Sequence, residues 1–242
     1  MTEVITASTI IKRFGHKQVL RKLDFSVQQG EFVAFLGPNG AGKTTFLRIL
    51  SSLSKPNYGI VKIAGFVLPT QAASVRQKLG VVSHQPLLYG DLSAEENLNF
   101  YAKLYGVIDR SERISQILKM VGLEKRRRDL VRTFSRGMQQ RLAIGRSIIH
   151  DPEVLLLDEP HTGLDQDASN MLDEILTRVA TQGRTVVMTS HDLPRVANLA
   201  SRFDVLARGK IMGSIQASDL PKHGLLSFYE SVINQNEVKN EI

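Results

Sequence analysis

Gly37-Pro-Asn-Gly-Ala-Gly-Lys-Thr44 constrains this chain more than any other stretch, because it satisfies G-x-x-x-x-G-K-[ST] at every required position. Upstream, Glu31-Phe-Val-Ala-Phe-Leu36 predicts a short buried strand, and downstream Thr45-Phe-Leu-Arg-Ile-Leu50 carries the apolar spacing of a helix. Strand, glycine loop and helix together form a phosphate-binding context. The glycines let several N–H groups converge on one anion, and the helix N-terminus adds partial positive charge. The residues expected around a nucleoside triphosphate are therefore Gly37, Pro38, Asn39, Gly40, Ala41, Gly42, Lys43, Thr44 and Thr45. Lys43 is expected to reach the β- and γ-phosphates, and the Thr44 hydroxyl to help hold Mg²⁺.

Composition excludes several alternatives. At 242 residues the chain can bury an ample core, and its 42% hydrophobic and 23% charged content is that of a globular protein. No uninterrupted apolar run approaches the roughly 18–20 residues that span a bilayer, and no apolar signal core is expected at the N-terminus. The absence of cysteine excludes disulfides and thiolate metal sites. Six histidines without metal-ligand spacing argue against zinc. A formal charge of +7 admits nucleic acid or an anionic membrane as neighbour. The densest basic run, Lys125-Arg-Arg-Arg128, lacks interleaved aromatics and reads as a solvated helix end or loop.

Along the chain, the first ~30 residues alternate β-branched and polar positions, predicting a small antiparallel sheet that Ile60–Phe66 extends. Helical patterns follow near 94–105, 111–121 and 136–150 with no strand between them. Val154-Leu-Leu-Leu157 and Thr185-Val-Val-Met-Thr189 are continuous apolar runs, as in parallel strands buried on both faces, with a helix near 167–181 between them. A parallel core built from residues 31–85 and 151–210 is thus interrupted by a helical insertion. Signals after Gly209 are weak, and Gln235 to Ile242 is polar enough to predict disorder.

Two carboxylates, Asp158 and Glu159, close the apolar run 154–157. In a doubly wound sheet that edge holds ligands, so Asp158 is expected to meet the Mg²⁺ held at Thr44, and Glu159 to polarise a water for attack on γ-phosphate. Thr189-Ser-His191 ends the next strand and places His191 on the same edge, where it can donate to γ-phosphate or to the water.

With these elements in order, the chain resembles the ATP-binding subunits of ABC transporters over about residues 3–215. The resemblance implies an α/β fold: a P-loop NTPase core with a mostly parallel sheet, an N-terminal antiparallel β subdomain and an inserted α-helical subdomain. One ATP-binding domain would comprise core and β subdomain at about 1–85 and 151–215, a helical subdomain at 86–150 and a tail at 216–242. It further implies that Gln85 contacts Mg²⁺ and the attacking water, and that Phe14 stacks on adenine. Phe134-Ser-Arg-Gly-Met-Gln-Gln-Arg141 resembles the signature, whose Ser135 and Gly137 would contact γ-phosphate bound to another subunit. Thr162-Gly-Leu-Asp165 resembles the D-loop. Arg136 and Met138 depart from the usual glycine and glutamine, and His161 stands where an aromatic or apolar residue is usual, leaving a direct catalytic part for it as an alternative.

One copy is then an incomplete site. The resemblance implies a head-to-tail dimer with itself or a similar ATPase subunit, enclosing ATP and Mg²⁺. It implies integral membrane subunits as partners, and a peripheral place on the cytoplasmic face of the cell membrane. Leu87, Leu88, Tyr89 and Leu92 are expected to expose an apolar docking face. Residues 83–98 and 100–106 are similar to the subfamily that powers the haem exporter of cytochrome c maturation, although drug and lipid exporter subunits share much of them. Neither haem nor nucleic acid is expected to bind this chain directly. A soluble ABC ATPase acting on ribosomes or DNA, and an ATP-binding regulatory module without turnover, are the alternatives.

Overall fold

Alternating apolar and polar residues at the N-terminus form a long antiparallel hairpin, β1 (Glu3–Phe14) and β2 (Lys17–Gln28), whose inward positions Ile5, Ile10, Leu20, Leu23 and Val27 are buried. The computed structural model describes residues 2–83, 85–221 and 224–238, the last four of these by backbone alone. From the hairpin the chain enters β3 (Phe32–Leu36), buried throughout, and then α1 (Lys43–Leu50). It returns to the hairpin with β4 (Tyr58–Ile63) and β5 (Phe66–Leu68), completing an antiparallel sheet of order β2-β1-β4-β5.

The second sheet is mostly parallel. A short helix α2 (Ala72–Lys78) leads to β6 (Leu79–Val82). The helical insertion follows as α3 (Ala94–Leu104), α4 (Arg110–Met120) and α5 (Arg136–Ser147). Then come β7 (Val154–Asp158), α6 (Gln166–Thr181), β8 (Thr185–Thr189), the single turn α7 (Leu193–Val196), β9 (Arg202–Ala207) and β10 (Lys210–Gln216). Strand order is β10-β9-β3-β8-β7-β6, parallel except for β10, which pairs antiparallel with β9 at one edge. One face of this sheet packs on α1 and the antiparallel sheet through Val33, Phe35, Leu156 and Val187; the other packs on the helical insertion and α6 through Ala34, Leu155, Leu157 and Val186. Strands buried on both faces lose polar alternation, which is why these segments read as continuous apolar runs.

Local chemistry sets the helix starts. Ser93 and Glu96 form a reciprocal capping box at α3, with Ser93 N–H donating to Glu96 Oε2 at 2.8 Å and Glu96 N–H to Ser93 Oγ at 3.2 Å. Asp165 caps α6 by accepting from Ala168 N–H at 2.8 Å.

The tail departs from the expected disorder. A final helix, α8 (Gly224–Val238), takes in residues 235–238, while 239–242 lie outside the described residues. Leu225, Phe228, Tyr229, Val232 and Ile233 recur at helical spacing, and Leu225 and Val232 are buried. That apolar stripe outweighs the polar residues beyond it. The run 125–128 is solvent-facing in part, as expected, but Arg127 is ion-paired to Glu95 at 2.9 Å.

His150, just beyond α5, stacks on Tyr105 with ring centroids 3.8 Å apart and gives its Nε2–H to the Leu79 carbonyl at 3.0 Å. Burial brings its pKa down from 6.5 to about 4. Its Nδ1 is buried without a partner, so an added proton there has nothing to bond. The unfolded chain takes up this proton as pH falls through 6.5, the folded chain only near 4; stability is therefore lost across that window on acidification. From pH 7 to pH 5 the expected loss at His150 is about 2 kcal/mol. Urea unfolding at the two pH values measures it, and His150→Gln should be less pH-sensitive than the parent by that amount.

Candidate functional site

Register brings the expected residues together. In the parallel ladder Phe35 of β3 lies beside Thr189 of β8, and Thr189 lies beside Asp158 of β7. The segments leaving these adjacent strands, Gly37 onward, Glu159 onward and Ser190-His191, therefore emerge at one carboxyl edge of the sheet, where α/β proteins hold ligands.

The glycine loop is shaped by close approach. Gly37 has φ of 144°, and a Cβ there would stand 2.0 Å from the Leu206 carbonyl oxygen. Gly42 has φ of 112° and caps α1 with no side-chain hydrogen bond; the first turn of α1 carries no acidic residue. The opening N–H groups of α1 thus retain their donor capacity and the helix its positive end, a cradle for an anion. Behind the loop, Phe25, Phe35 and Phe46 meet with ring centroids 4.9–5.5 Å apart, fixing α1 against β2 and β3. The Lys43 side chain is buried and its Nζ donates to the carbonyls of Gly37 at 2.6 Å and Pro38 at 3.3 Å. Burial lowers its pKa, opposed by the charges of Glu159 and Asp158.

A chain of hydrogen bonds joins the three segments. Thr44 Oγ1 donates to Asp158 Oδ1 at 3.1 Å, and Thr189 Oγ1 to the same oxygen at 2.8 Å. Glu159 N–H donates to Thr189 Oγ1 at 2.9 Å. Glu159 itself is held at φ of 51°, a left-handed conformation that costs a non-glycine residue energy and recurs at functional sites. Its Oε2 stands 2.5 Å from His191 Nδ1; a carboxylate only accepts, so Nδ1 carries the hydrogen. Among the described residues no group of three or more His, Cys, Asp or Glu is placed to hold a metal ion. One hydroxyl and one carboxylate in contact, Thr44 and Asp158, suit Mg²⁺, which takes few protein ligands and completes its shell with phosphate oxygens and water.

Glu159 and His191 border a cleft of about 900 Å³ lined also by the whole loop from Gly37 to Thr45 and by Phe14, whereas Asp158 is outside the lining and meets it through Thr44. Phe14 is exposed at its mouth. Ser135 and Gly137 are not in this lining; they stand at the start of α5, where Ser135 Oγ accepts from Met138 N–H at 3.2 Å. Gln85 is also outside the lining and exposed, its carbonyl bonded by Ser83 Oγ at 2.7 Å. Arg136 lies over Gly163, where a Cβ would come within 2.6 Å of the guanidinium carbon. Thr162 of the D-loop and Ser190 beside His191 also line the cleft, and so do Lys17, Val19, Leu193 and Tyr229, which sequence reasoning missed. Of those four only Tyr229 had a legible signal, the apolar stripe of α8.

Leu87 and Tyr89 are exposed as expected, Leu88 packs against the core and Leu92 is half-buried instead, and Phe100 and Leu104 join the exposed set. The buried Asn97 amide pins this loop, accepting from Tyr89 N–H at 2.8 Å and donating to its carbonyl at 2.9 Å. No helix among the described residues is long and apolar enough to cross a membrane.

Comparison with known proteins agrees with this geometry. A family profile described as ABC transporter matches residues 20–162. The linearmycin resistance ATP-binding protein LnrL of Bacillus subtilis is 35% identical over 219 residues, covering 90% of this chain and 70% of that protein. The Nod factor export ATP-binding protein I of Ralstonia nicotianae is 34% identical over 224 residues, covering 92% and 70%. The dimeric post-hydrolysis structure of the ATP-binding cassette MJ0796, bound to ADP and Pi, superposes with a TM-score of 0.80 at 28% identity, covering 88% of this chain and 98% of that one. The chain belongs to the ABC transporter family as an ATP-binding subunit, an ATPase acting on ATP with Mg²⁺.

Proposed function

We propose that the chain powers export through separate membrane subunits, hydrolysing ATP in a head-to-tail dimer with itself or a similar subunit. The observation that carries this reading is the division of the site: loop, Glu159 and His191 share one cleft, with Asp158 joined to it through Thr44, whereas Ser135 and Gly137 stand apart from it on α5. A second subunit turned head to tail brings its own Ser135 and Gly137 to this cleft and so completes it.

In this reading Phe14 stacks on adenine, the loop amides and Lys43 hold the triphosphate, and Thr44, Asp158 and Gln85 hold Mg²⁺. The ion, once bound, neutralises charge on the β- and γ-phosphates. Glu159 accepts the proton of the attacking water through its carboxylate. His191, anchored by its Nδ1–H on Glu159, offers a bare Nε2 that accepts from the water, or, as the imidazolium, an Nε2–H that donates to γ-phosphate. Gln85 reaches this centre by a shift of its exposed segment when the subunits close. ATP binding closes the dimer and hydrolysis removes the γ-phosphate contacts that hold it shut.

The exposed Leu87, Tyr89, Phe100 and Leu104 form the docking face for a membrane subunit, which places the chain peripherally on the cytoplasmic face of the membrane. For cargo, relatives named for linearmycin resistance and Nod factor export support a drug or lipid exporter. Haem export rests on the likeness of residues 83–106 alone.

Affinity purification of the tagged chain from detergent-solubilised native membranes tests the reading. A polytopic partner recovered in stoichiometric amount is the expected result, and its sequence distinguishes a drug or lipid exporter from a cytochrome-assembly complex. Recovery with ribosomes or DNA and no polytopic protein would overturn it.

A further inference from the structure

His161, which stands where the family resemblance predicts an apolar or aromatic residue, is not in the lining of the cleft. Its side chain is nine-tenths buried, and its Nε2 lies 2.7 Å from Asp173 Oδ1 on α6. A carboxylate can only accept, so Nε2 carries the hydrogen, and the buried Nδ1 has no partner. The ring therefore offers no proton-carrying atom to the cleft, which removes the direct catalytic role.

The other oxygen of Asp173 is taken. Oδ2 accepts from Arg195 Nη1 on α7, and Arg195 Nε reaches back to Asp192 Oδ2 at 3.3 Å. Arg195 is 12% and Asp173 24% exposed, so this pairing is screened less than a surface ion pair. Asp192 also caps α7 by accepting from Arg195 N–H at 3.1 Å. One carboxylate on α6 thus bridges two segments that both lead from the cleft: the turn two residues after Glu159, and the helix four residues after His191.

We propose that His161, Asp173 and Arg195 form a polar clamp that sets the position of the His191 segment relative to Glu159. The strand ends already meet through the 2.5 Å contact between Glu159 and His191, but His191 is 65% exposed and α7 is a single turn, so little else stiffens that side of the cleft. A second tie, about one helical turn away along α7, fixes the direction in which His191 leaves β8. His161 is on this view a positioning residue for hydrolysis. The inference rests on the roles proposed for Glu159 and His191.

Two measurements test it. In the full chain labelled with ¹⁵N-histidine, Asp173→Asn should shift the imidazole nitrogens of both His161 and His191; Arg195→Lys serves if that variant does not fold. A His191 signal that stays in place while His161 moves would overturn the clamp, whatever the turnover. In the full chain co-purified with its membrane subunits, His161→Leu should lower kcat for ATP about tenfold with KM unchanged, since misplacement acts on the reacting geometry and not on phosphate binding. His161→Gln, which returns a donor near the Nε2 position, should restore most of the loss. Unchanged kcat in His161→Leu, or no rescue by His161→Gln, would overturn the proposal. Failure of the underlying site reading shows separately, as turnover retained when Glu159 itself is replaced.

Discussion

Glu159→Gln is expected to bind ATP as the parent does and to lose steady-state turnover by a factor of at least about 10². The amide is nearly isosteric with the carboxylate and can keep a contact with His191 Nδ1, so the loop, Lys43 and the Thr44–Asp158 pair are left as they are. What it loses is the ability to take a proton from water. On the proposed cycle, with closure driven by triphosphate and reopening by its cleavage, the variant should accumulate as a closed dimer in ATP and Mg²⁺. Light scattering during gel filtration reads the mass, and phosphate release reads the turnover. Full ATPase activity would remove Glu159 from the role of base, and a monomer with ATP bound would contradict the head-to-tail site.

Lys43→Ala should weaken ATP binding by roughly 10- to 100-fold, the range expected on losing a charge-assisted hydrogen bond of about 1.5–3 kcal/mol. Lys43 is buried under the loop, with Nζ close to the Gly37 and Pro38 carbonyls, and in the role proposed for it an ammonium held there would meet the phosphates in a setting that screens little. The loss should be graded: large for ATP, smaller for ADP and slight for AMP, which lacks the phosphates concerned. Calorimetry with the three nucleotides gives this series directly. Equal weakening for all three would mean that the substitution had disturbed the loop as a whole, and unchanged ATP affinity would contradict the assignment of Lys43.

Much of the site could be read before any fold was known. The glycine loop was legible because its geometry is local: positive φ at Gly37 and Gly42 and an uncapped helix start are written in adjacent residues. Asp158, Glu159 and His191 were legible because each closes a continuous apolar run, and such runs mark strands buried on both faces. The β7, β8 and α6 segments accordingly lie within a residue of their expected bounds. The helix at the C-terminus was missed because its polar end drew attention from the stripe of Leu225, Phe228, Tyr229, Val232 and Ile233.

Periodicity and turn chemistry, which act over a few residues, were thus sufficient to predict the strand–loop–helix context, the two sheets with their helical insertion, and the pair of acids at a strand end. Contacts between segments distant in the chain needed the fold. The register that sets Phe35, Thr189 and Asp158 side by side depends on which strands become neighbours. The separation of Ser135 and Gly137 from the cleft depends on where the helical insertion sits. His161 lies outside the lining of the cleft and bonds Asp173, which also holds Arg195, on a helix whose position no local rule specifies.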